Sequence, residues 1–217
     1  MKQSLATRAI PSPKLLVKDH KTINKKGGLP TRLVITATKF TATFSKIGYL
    51  GIKRMLDKGK VNYSRFSIFQ AYDLRERLEK LKIRIDEVAI ASVDDINMYP
   101  SIKILSIKKA VRFSASKLTA ETNKTINLCM YLVCFGMISI LVSFDGEYYE
   151  YHGGEEEEKG LAIGGYESAF LANLFASYLF EKATGNFNPT TYHGIYIDDG
   201  LVVFTGNISA KEVKYWL

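Results

Sequence analysis

Carboxylates gather at two places in this 217-residue chain where an apolar run ends abruptly. Val88 to Val93 reads as a compact strand that stops at Asp94-Asp95. Ile195 to Ile197 and Leu201 to Phe204 flank Asp198-Asp199-Gly200, which reads as a hairpin with acids at its tip. Like charges a few ångströms apart raise one another's pKa unless a cation intervenes. Hard divalent ions such as Mg²⁺ take oxygen ligands and keep positions open for phosphates and water. Two such ions, about 3.5 to 4 Å apart, would clamp the attacking and leaving oxygens of an in-line phosphoryl transfer. Ordinary turn chemistry explains adjacent acids equally well, so the surrounding elements have to decide.

The apolar spacing predicts those elements. Two strands, over 14–21 and 31–38, surround the loop Lys25-Lys-Gly-Gly-Leu-Pro30 and make a basic hairpin. Thr41 to Leu56 suits a helix through Phe44, Ile47, Tyr49, Leu50, Ile52 and Leu56, weakened by Gly48 and Gly51. Ser67 with Gln70 resembles a capping box opening a helix to about Lys82, on which Arg75, Glu76, Arg77, Glu79 and Lys80 form a solvated face. A further helix is expected from Lys103 to Lys117. Leu128 to Phe144 carries no charge, but it sits at the lower limit for spanning a membrane and runs into Asp145-Gly146, a hairpin-turn signal. It is therefore read as a buried helix to about Gly136 and a buried strand from about Met137. Tyr166 to Phe180 has helical spacing, with Phe170, Leu171, Leu174, Phe175, Tyr178 and Leu179 assigned to the core. Glu155 to Glu158 reads as an exposed loop, and Ser209 with Glu212 opens a last helix in which the chain ends.

Composition narrows the class. With 47% hydrophobic and 12% aromatic residues, the chain is not a disordered tail. Its net charge of +8 is uneven: residues 1–60 hold 14 basic and 2 acidic side chains, and residues 61–217 hold 16 and 20. The first part suits a polyanionic partner; the remainder holds most of the carboxylates. Cys129 and Cys134, with four residues between them, have no second ligand pair, which indicates two reduced thiols rather than a disulfide framework or a zinc site. Residues 1–14 lack a continuous apolar stretch and contain Pro11 and Pro13, so no secretory signal is read there. An intracellular, reducing location is expected, the nucleus included.

The residues around the acids then carry a resemblance. Ala91-Ser-Val-Asp-Asp-Ile-Asn-Met-Tyr-Pro-Ser-Ile102, Gly160-Leu-Ala-Ile-Gly-Gly-Tyr-Glu-Ser-Ala-Phe-Leu-Ala-Asn-Leu-Phe175 and Tyr196-Ile-Asp-Asp-Gly200 resemble motifs A, B and C of reverse transcriptases, in that order. Val17-Lys-Asp-His-Lys21 followed by Leu29-Pro-Thr-Arg-Leu-Val-Ile35 is similar to the fingers pattern of Penelope-like retroelement reverse transcriptases, and Ser143-Phe-Asp-Gly-Glu-Tyr-Tyr149 resembles the hairpin those enzymes place before motif B. The likeness spans about residues 14–206. It implies an α+β fold, the fingers and palm of a right-hand polymerase, with an antiparallel palm sheet backed by helices. Residues 1–87 would form a basic, fingers-like region with helices. Residues 88–217 would form the palm, ending before motif D and the thumb.

The resemblance also implies roles. Asp94, five residues before Tyr99, matches the metal-binding acid of motif A; Asp95 would offer its backbone carbonyl, although the family generally has an apolar residue there. Asp198 and Asp199 match the acids of motif C. Two Mg²⁺ ions, with Mn²⁺ as substitute, would assist transfer of a deoxynucleotide to a primer 3′-hydroxyl on an RNA or DNA template. Tyr99 matches the ring that lies under the incoming sugar and disfavours a 2′-hydroxyl. Arg32 and Lys18 match groups that hold the triphosphate, a task suited to a planar fork and a point charge. Gly164 and Gly165 would let the backbone approach nucleotide and template. Ala162 stands where the family often has Pro. Ser168 and Asn173, on the following helix, suit either a nucleotide contact or local packing, and His20, His152 and His193 are not read as metal ligands.

The principal alternative is a nucleic-acid-binding polymerase remnant with weak or no catalysis, since a chain without a thumb would depend on another segment or a partner chain to grip template and primer. Met98-Tyr-Pro-Ser-Ile102 also resembles a segment of family B DNA polymerases, but the adjacency of Asp198 and Asp199 argues against that family. Ile197 argues against an RNA-templated RNA polymerase, where Gly usually precedes the two acids.

Overall fold

The computed structural model describes residues 10, 12–17, 31–35, 39–63, 65–81, 88–94, 98–138, 140–150, 160–184, 190–196 and 199–205, with the backbone alone for residues 39, 93, 94, 184, 190 and 191. Strands β1 (Lys14–Val17) and β2 (Thr31–Val34) pair antiparallel, Lys14 opposite Val34 and Val17 opposite Thr31. This is the basic hairpin expected from the sequence, with its second strand ending at Val34; residues 18–30 and 36–38 lie outside the described residues.

Helix α1 (Lys39–Lys58) is longer than the spacing predicted, and its glycines do not interrupt it. It packs along α5 (Ala120–Ile138), the helix that absorbs most of the uncharged stretch. A Cβ added at Gly48 would lie 2.5 Å from the Cys129 carbonyl oxygen and 2.8 Å from Val133 Cγ2; one at Gly51 would strike Cys129 Sγ, and one at Gly136 on α5 would strike Ser45 Oγ. The glycines are therefore the surfaces through which two backbones approach. Each costs helix propensity of about 1 kcal/mol relative to Ala, which the contact it permits offsets. Ile52 and Leu56 of α1 and Ile126 and Val133 of α5 are buried by that contact and by the rest of the core, at roughly 1.5 to 3 kcal/mol per side chain.

The helix expected from Ile68 begins later, as α2 (Ala71–Glu79). Gln70 is its N-cap, and the Gln70 backbone N–H donates to Asp73 Oδ2 at 3.1 Å. Ser67 does not cap it. Ile68 N–H donates to the Ile195 carbonyl and Ile195 N–H to the Phe66 carbonyl, both at 2.7 Å, so 66–68 runs beside a strand instead. The backbone bonds of a strand partner satisfy more donors than one hydroxyl cap would. The polar face of α2 is solvated as read, with exposed pairs Arg75–Glu79 and Lys80–Glu76.

Strand β3 (Val88–Asp94) is followed by the short helix α3 (Met98–Ser101) and by α4 (Ile104–Ala115). Strands β4 (Leu141–Phe144) and β5 (Glu147–Glu150) form a hairpin whose turn residues Asp145 and Gly146 both have positive φ, 50° and 79°. That conformation is the reason an Asp-Gly pair is needed there. The expected strand from Met137 starts four residues later, because Met137 and Ile138 complete α5, and of β4 only Val142 is buried. Among the described residues no helix is long and apolar enough to cross a membrane.

Helix α6 (Ser168–Thr184) buries Leu171 and Leu174 and half-buries Phe170, Phe175 and Tyr178, but Leu179 is 48% exposed and is not a core residue. Strands β6 (Thr190–Tyr196) and β7 (Asp199–Thr205) complete a three-stranded antiparallel sheet in the order β3-β7-β6. Val202, Val203 and Phe204 are buried in succession, as a central strand requires, and Phe180 of α6 packs on Ala91, Val202 and Phe204. The main core lies among α1, α4, α5 and α6 and reaches the sheet through Ile195.

Candidate active site

Pairing of β3 with β7 brings together the two acidic segments. The register places Ala91 opposite Val202 and Asp94 opposite Asp199, and β6 returns with Tyr196 opposite Asp199. Directly opposed residues in an antiparallel ladder have Cα atoms about 4.5 to 5.5 Å apart. Acids from distant parts of the chain thus share one end of one sheet. Asp199 is exposed there. The side chain of Asp94, and Asp95 and Asp198 entirely, lie outside what is described, as does Lys18. Carboxylates at this edge are the hard oxygen donors a divalent cation takes, and among the described residues no group of three metal-ligating side chains occurs.

Two backbone joints hold the remaining segments to this edge. Leu161 N–H donates to the Tyr99 carbonyl at 3.0 Å, and Lys103 and Gly160 form a bridge beside it. The segment carrying Tyr99 is thereby tied to the start of the glycine loop before α6, and the half-buried Tyr99 packs against the main core. On the other side, Ile35 N–H donates to the Ile163 carbonyl at 2.8 Å. Gly164 follows with φ of 111°, and a Cβ there would lie 2.9 Å from the Ile35 carbonyl oxygen and 3.1 Å from Val34 Cγ1. Both the conformation and the close approach require glycine. The neighbour that demands it is the end of β2 and the residue that follows it. Arg32, exposed on that strand, is three residues from this joint.

The loop also holds a group that sequence reasoning missed. Glu167, immediately before α6, is 3% exposed, and burial holds its carboxyl above the usual range. A Cβ on Gly165 would lie 2.9 Å from Glu167 Oε1, so the carboxyl sits directly against the glycine loop. Nothing in Gly-Gly-Tyr-Glu-Ser marks this Glu as buried, since Glu is seldom buried without a partner. Ser168, also buried, donates from Oγ to the Ala162 carbonyl at 2.7 Å, which is the local backbone role. Asn173, one turn further on, lines a cavity and is taken up below. His193 lies between Phe66, at 4.2 Å, and the parallel ring of Phe180, at 5.5 Å. Burial, and secondarily Arg65, lower its pKa to about 4, so it is a neutral packing group near pH 7.

No family model matches the chain, and no curated protein matches it in sequence. Solved structures do. The apo telomerase of Candida tropicalis truncated from its C-terminal domain superposes with a TM-score of 0.63 at 13% identity, over 96% of this chain and 46% of that one. The telomerase of Candida tropicalis in complex with a TWJ fragment of telomeric RNA gives 0.61 at 12% identity, over 95% and 38%. The RNA-dependent RNA polymerase of a human picorbirnavirus gives 0.61 at 15% identity, over 94% and 38%. The chain spans less than half the length of these structures. Its mixed architecture of helices and antiparallel sheet is the fold of template-directed nucleic-acid polymerases.

Proposed function

We propose that this chain forms the fingers and palm of an RNA-directed DNA polymerase that transfers a deoxynucleotide from a dNTP to a primer 3′-hydroxyl on an RNA or DNA template. The observation that carries the reading is the register that sets Asp94 against Asp199, with the glycine loop joined to the same edge through Tyr99. Asp94, Asp198 and Asp199, with the Asp95 carbonyl, would hold two Mg²⁺ ions or Mn²⁺ in their place; such ions supply charge stabilisation at the attacking and leaving oxygens. Arg32 and Lys18 bind the triphosphate through charge-assisted hydrogen bonds. Gly164 and Gly165 leave room beside the nucleotide. The ring of Tyr99 lies under the sugar and excludes a 2′-hydroxyl.

Telomerases and an RNA-dependent RNA polymerase resemble the chain about equally, so the choice of deoxynucleotides rests on residues: the bulk of Tyr99 and Ile197 before the acid pair. The Penelope-like, retroelement character rests on Val17-Lys-Asp-His-Lys21, Leu29-Pro-Thr-Arg-Leu-Val-Ile35 and the segment Ser143 to Tyr149. An intracellular, reducing location goes with the proposal.

Primer extension tests it, on matched RNA and DNA templates with Mg²⁺ or Mn²⁺ and either dNTPs or rNTPs. Asp94→Asn, Asp198→Asn and Asp199→Asn are expected to abolish extension while circular dichroism stays unchanged; full extension by a purified Asp94 or Asp198 variant overturns the site. Tyr99→Ala is expected to admit ribonucleotides, and an unchanged dNTP to rNTP preference removes Tyr99 from that role.

A further inference from the structure

A cavity of about 240 Å³ opens between α1 and α6, lined by Lys53, Tyr63, Ser67, Phe69, Phe170 and Asn173. Its two surfaces differ in chemistry. Tyr63 and Phe170 meet edge to face at 5.5 Å and form an aromatic floor, while Phe69 stands 63% exposed at the rim. The Asn173 amide offers a donor and an acceptor to whatever enters. Lys53 is shared with an adjoining hollow lined by Leu50, Arg54, Asp57 and Lys58, residues at helical spacing on one face of α1. Asp57 is engaged, accepting the Tyr63 hydroxyl at 2.7 Å. Among the described residues no acid forms an ion pair with Lys53, Arg54 or Lys58.

An aromatic recess with a charged stripe leading from it fits a polymer whose units are each half flat ring and half anion. Proteins that hold single strands combine a basic track for the backbone with rings on which bases stack. A small metabolite would not use the stripe, and a duplex keeps its bases stacked internally. The position agrees: Ser67 bridges to Ile195, the neighbour of Tyr196, which pairs with Asp199. A strand held here lies beside the hairpin that carries the acids.

We infer that this cavity is a base-binding subsite for single-stranded nucleic acid, with one base stacked on Phe69 and its flanking phosphates on Lys53, Arg54 and Lys58. The inference rests on the polymerase reading and adds to it where an unpaired strand runs.

Fluorescence anisotropy of the full chain with labelled single-stranded RNA, single-stranded DNA and duplex oligonucleotides tests it. Phe69→Ala and Phe69→Leu are expected to weaken single-strand binding roughly 5- to 150-fold at constant salt dependence. Lys53→Ala is expected to reduce the slope of log affinity against log salt by about 0.7. Duplex binding should change little in the Phe69 variants, and since Phe69 is exposed the thermal midpoint serves as the folding control. Parent-like single-strand binding by all three variants, or an equal loss on duplex, overturns the subsite. If the parent extends primers while the variants bind as it does, the subsite falls and the polymerase reading stands. If the variants lose single-strand binding but the parent extends nothing, the catalytic reading falls and the subsite stands.

Discussion

The sheet that carries the acids and the hairpin that carries Arg32 are both antiparallel, yet they are stabilised very differently. In the three-stranded sheet β7 is central, with Val202, Val203 and Phe204 all buried, and Phe180 covers one face. In the two-stranded hairpin every residue but Val34 is exposed, including Leu15, Leu16, Val17 and Leu33. Isolated two-stranded hairpins are marginal in water. The first arrangement holds groups that must keep a fixed relation. Among the described residues, the second is joined to the rest at Ile35, which is buried with Ile140, Val142 and Ala162 and hydrogen-bonded to Ile163. Ligand-gripping elements are commonly drawn from such low-stability regions.

Removing the anchor should separate the two regions most strongly. Ile35→Ala is expected to cost the hairpin about 2 to 5 kcal/mol of local stability. Hydrogen exchange should then accelerate at Leu15 and Leu33 while Val202 and Phe204 remain protected, and the dNTP KM should rise. Equal deprotection of both regions would show that they unfold as one unit.

Gly164→Ala is a gentler break of the same joint. Positive φ in a residue with a Cβ costs about 1 to 3 kcal/mol, and the methyl would press on the Ile35 carbonyl. On the polymerase proposal, the expected result is a weakened dNTP affinity with thermal unfolding of the three-stranded sheet unchanged; an unchanged KM would mean that β2 is held elsewhere.

The smallest effect is a matter of pH. The unfolded chain protonates His193 near its ordinary value of 6.5, whereas the folded chain resists until about 4. Stability is therefore lost as pH falls through that window, by about 1 kcal/mol once the partial exposure of the ring is allowed for. Glu167 works in the opposite sense: its raised carboxyl stabilises the fold below about 4.5 and loses that contribution as pH rises through its folded value. His193→Phe should flatten the first slope and Glu167→Gln the second, in urea melts across pH 4 to 8. Unchanged slopes would show that neither group is desolvated in solution.

Much of the scaffold was legible because its signals are local. Asp145-Gly146 marked a turn that only residues tolerant of positive φ can make, and apolar runs bounded by acids marked β3 and the β6–β7 hairpin. The capping pattern at Ser67 misled because a backbone partnership with Ile195, remote in sequence, displaced it. Gly48 and Gly51 read as weaknesses in one helix and Gly136 as the end of another, yet all three are contacts between the two. Leu179 has the spacing of a core residue but stands 48% exposed.

By itself the sequence determined the order and chemistry of the candidate site: acids after apolar strands, an aromatic five residues beyond Asp94, glycines before α6, and positive charge concentrated in the first 60 residues. Such features depend on residue type and near spacing, which a linear reading preserves. Only the tertiary structure decided that Asp94 stands opposite Asp199, that Gly164 exists to admit the Ile35 backbone, and that Glu167 is buried against the glycine loop. Register, close approach and burial are properties of pairs of segments far apart in the chain, and no single segment carries them.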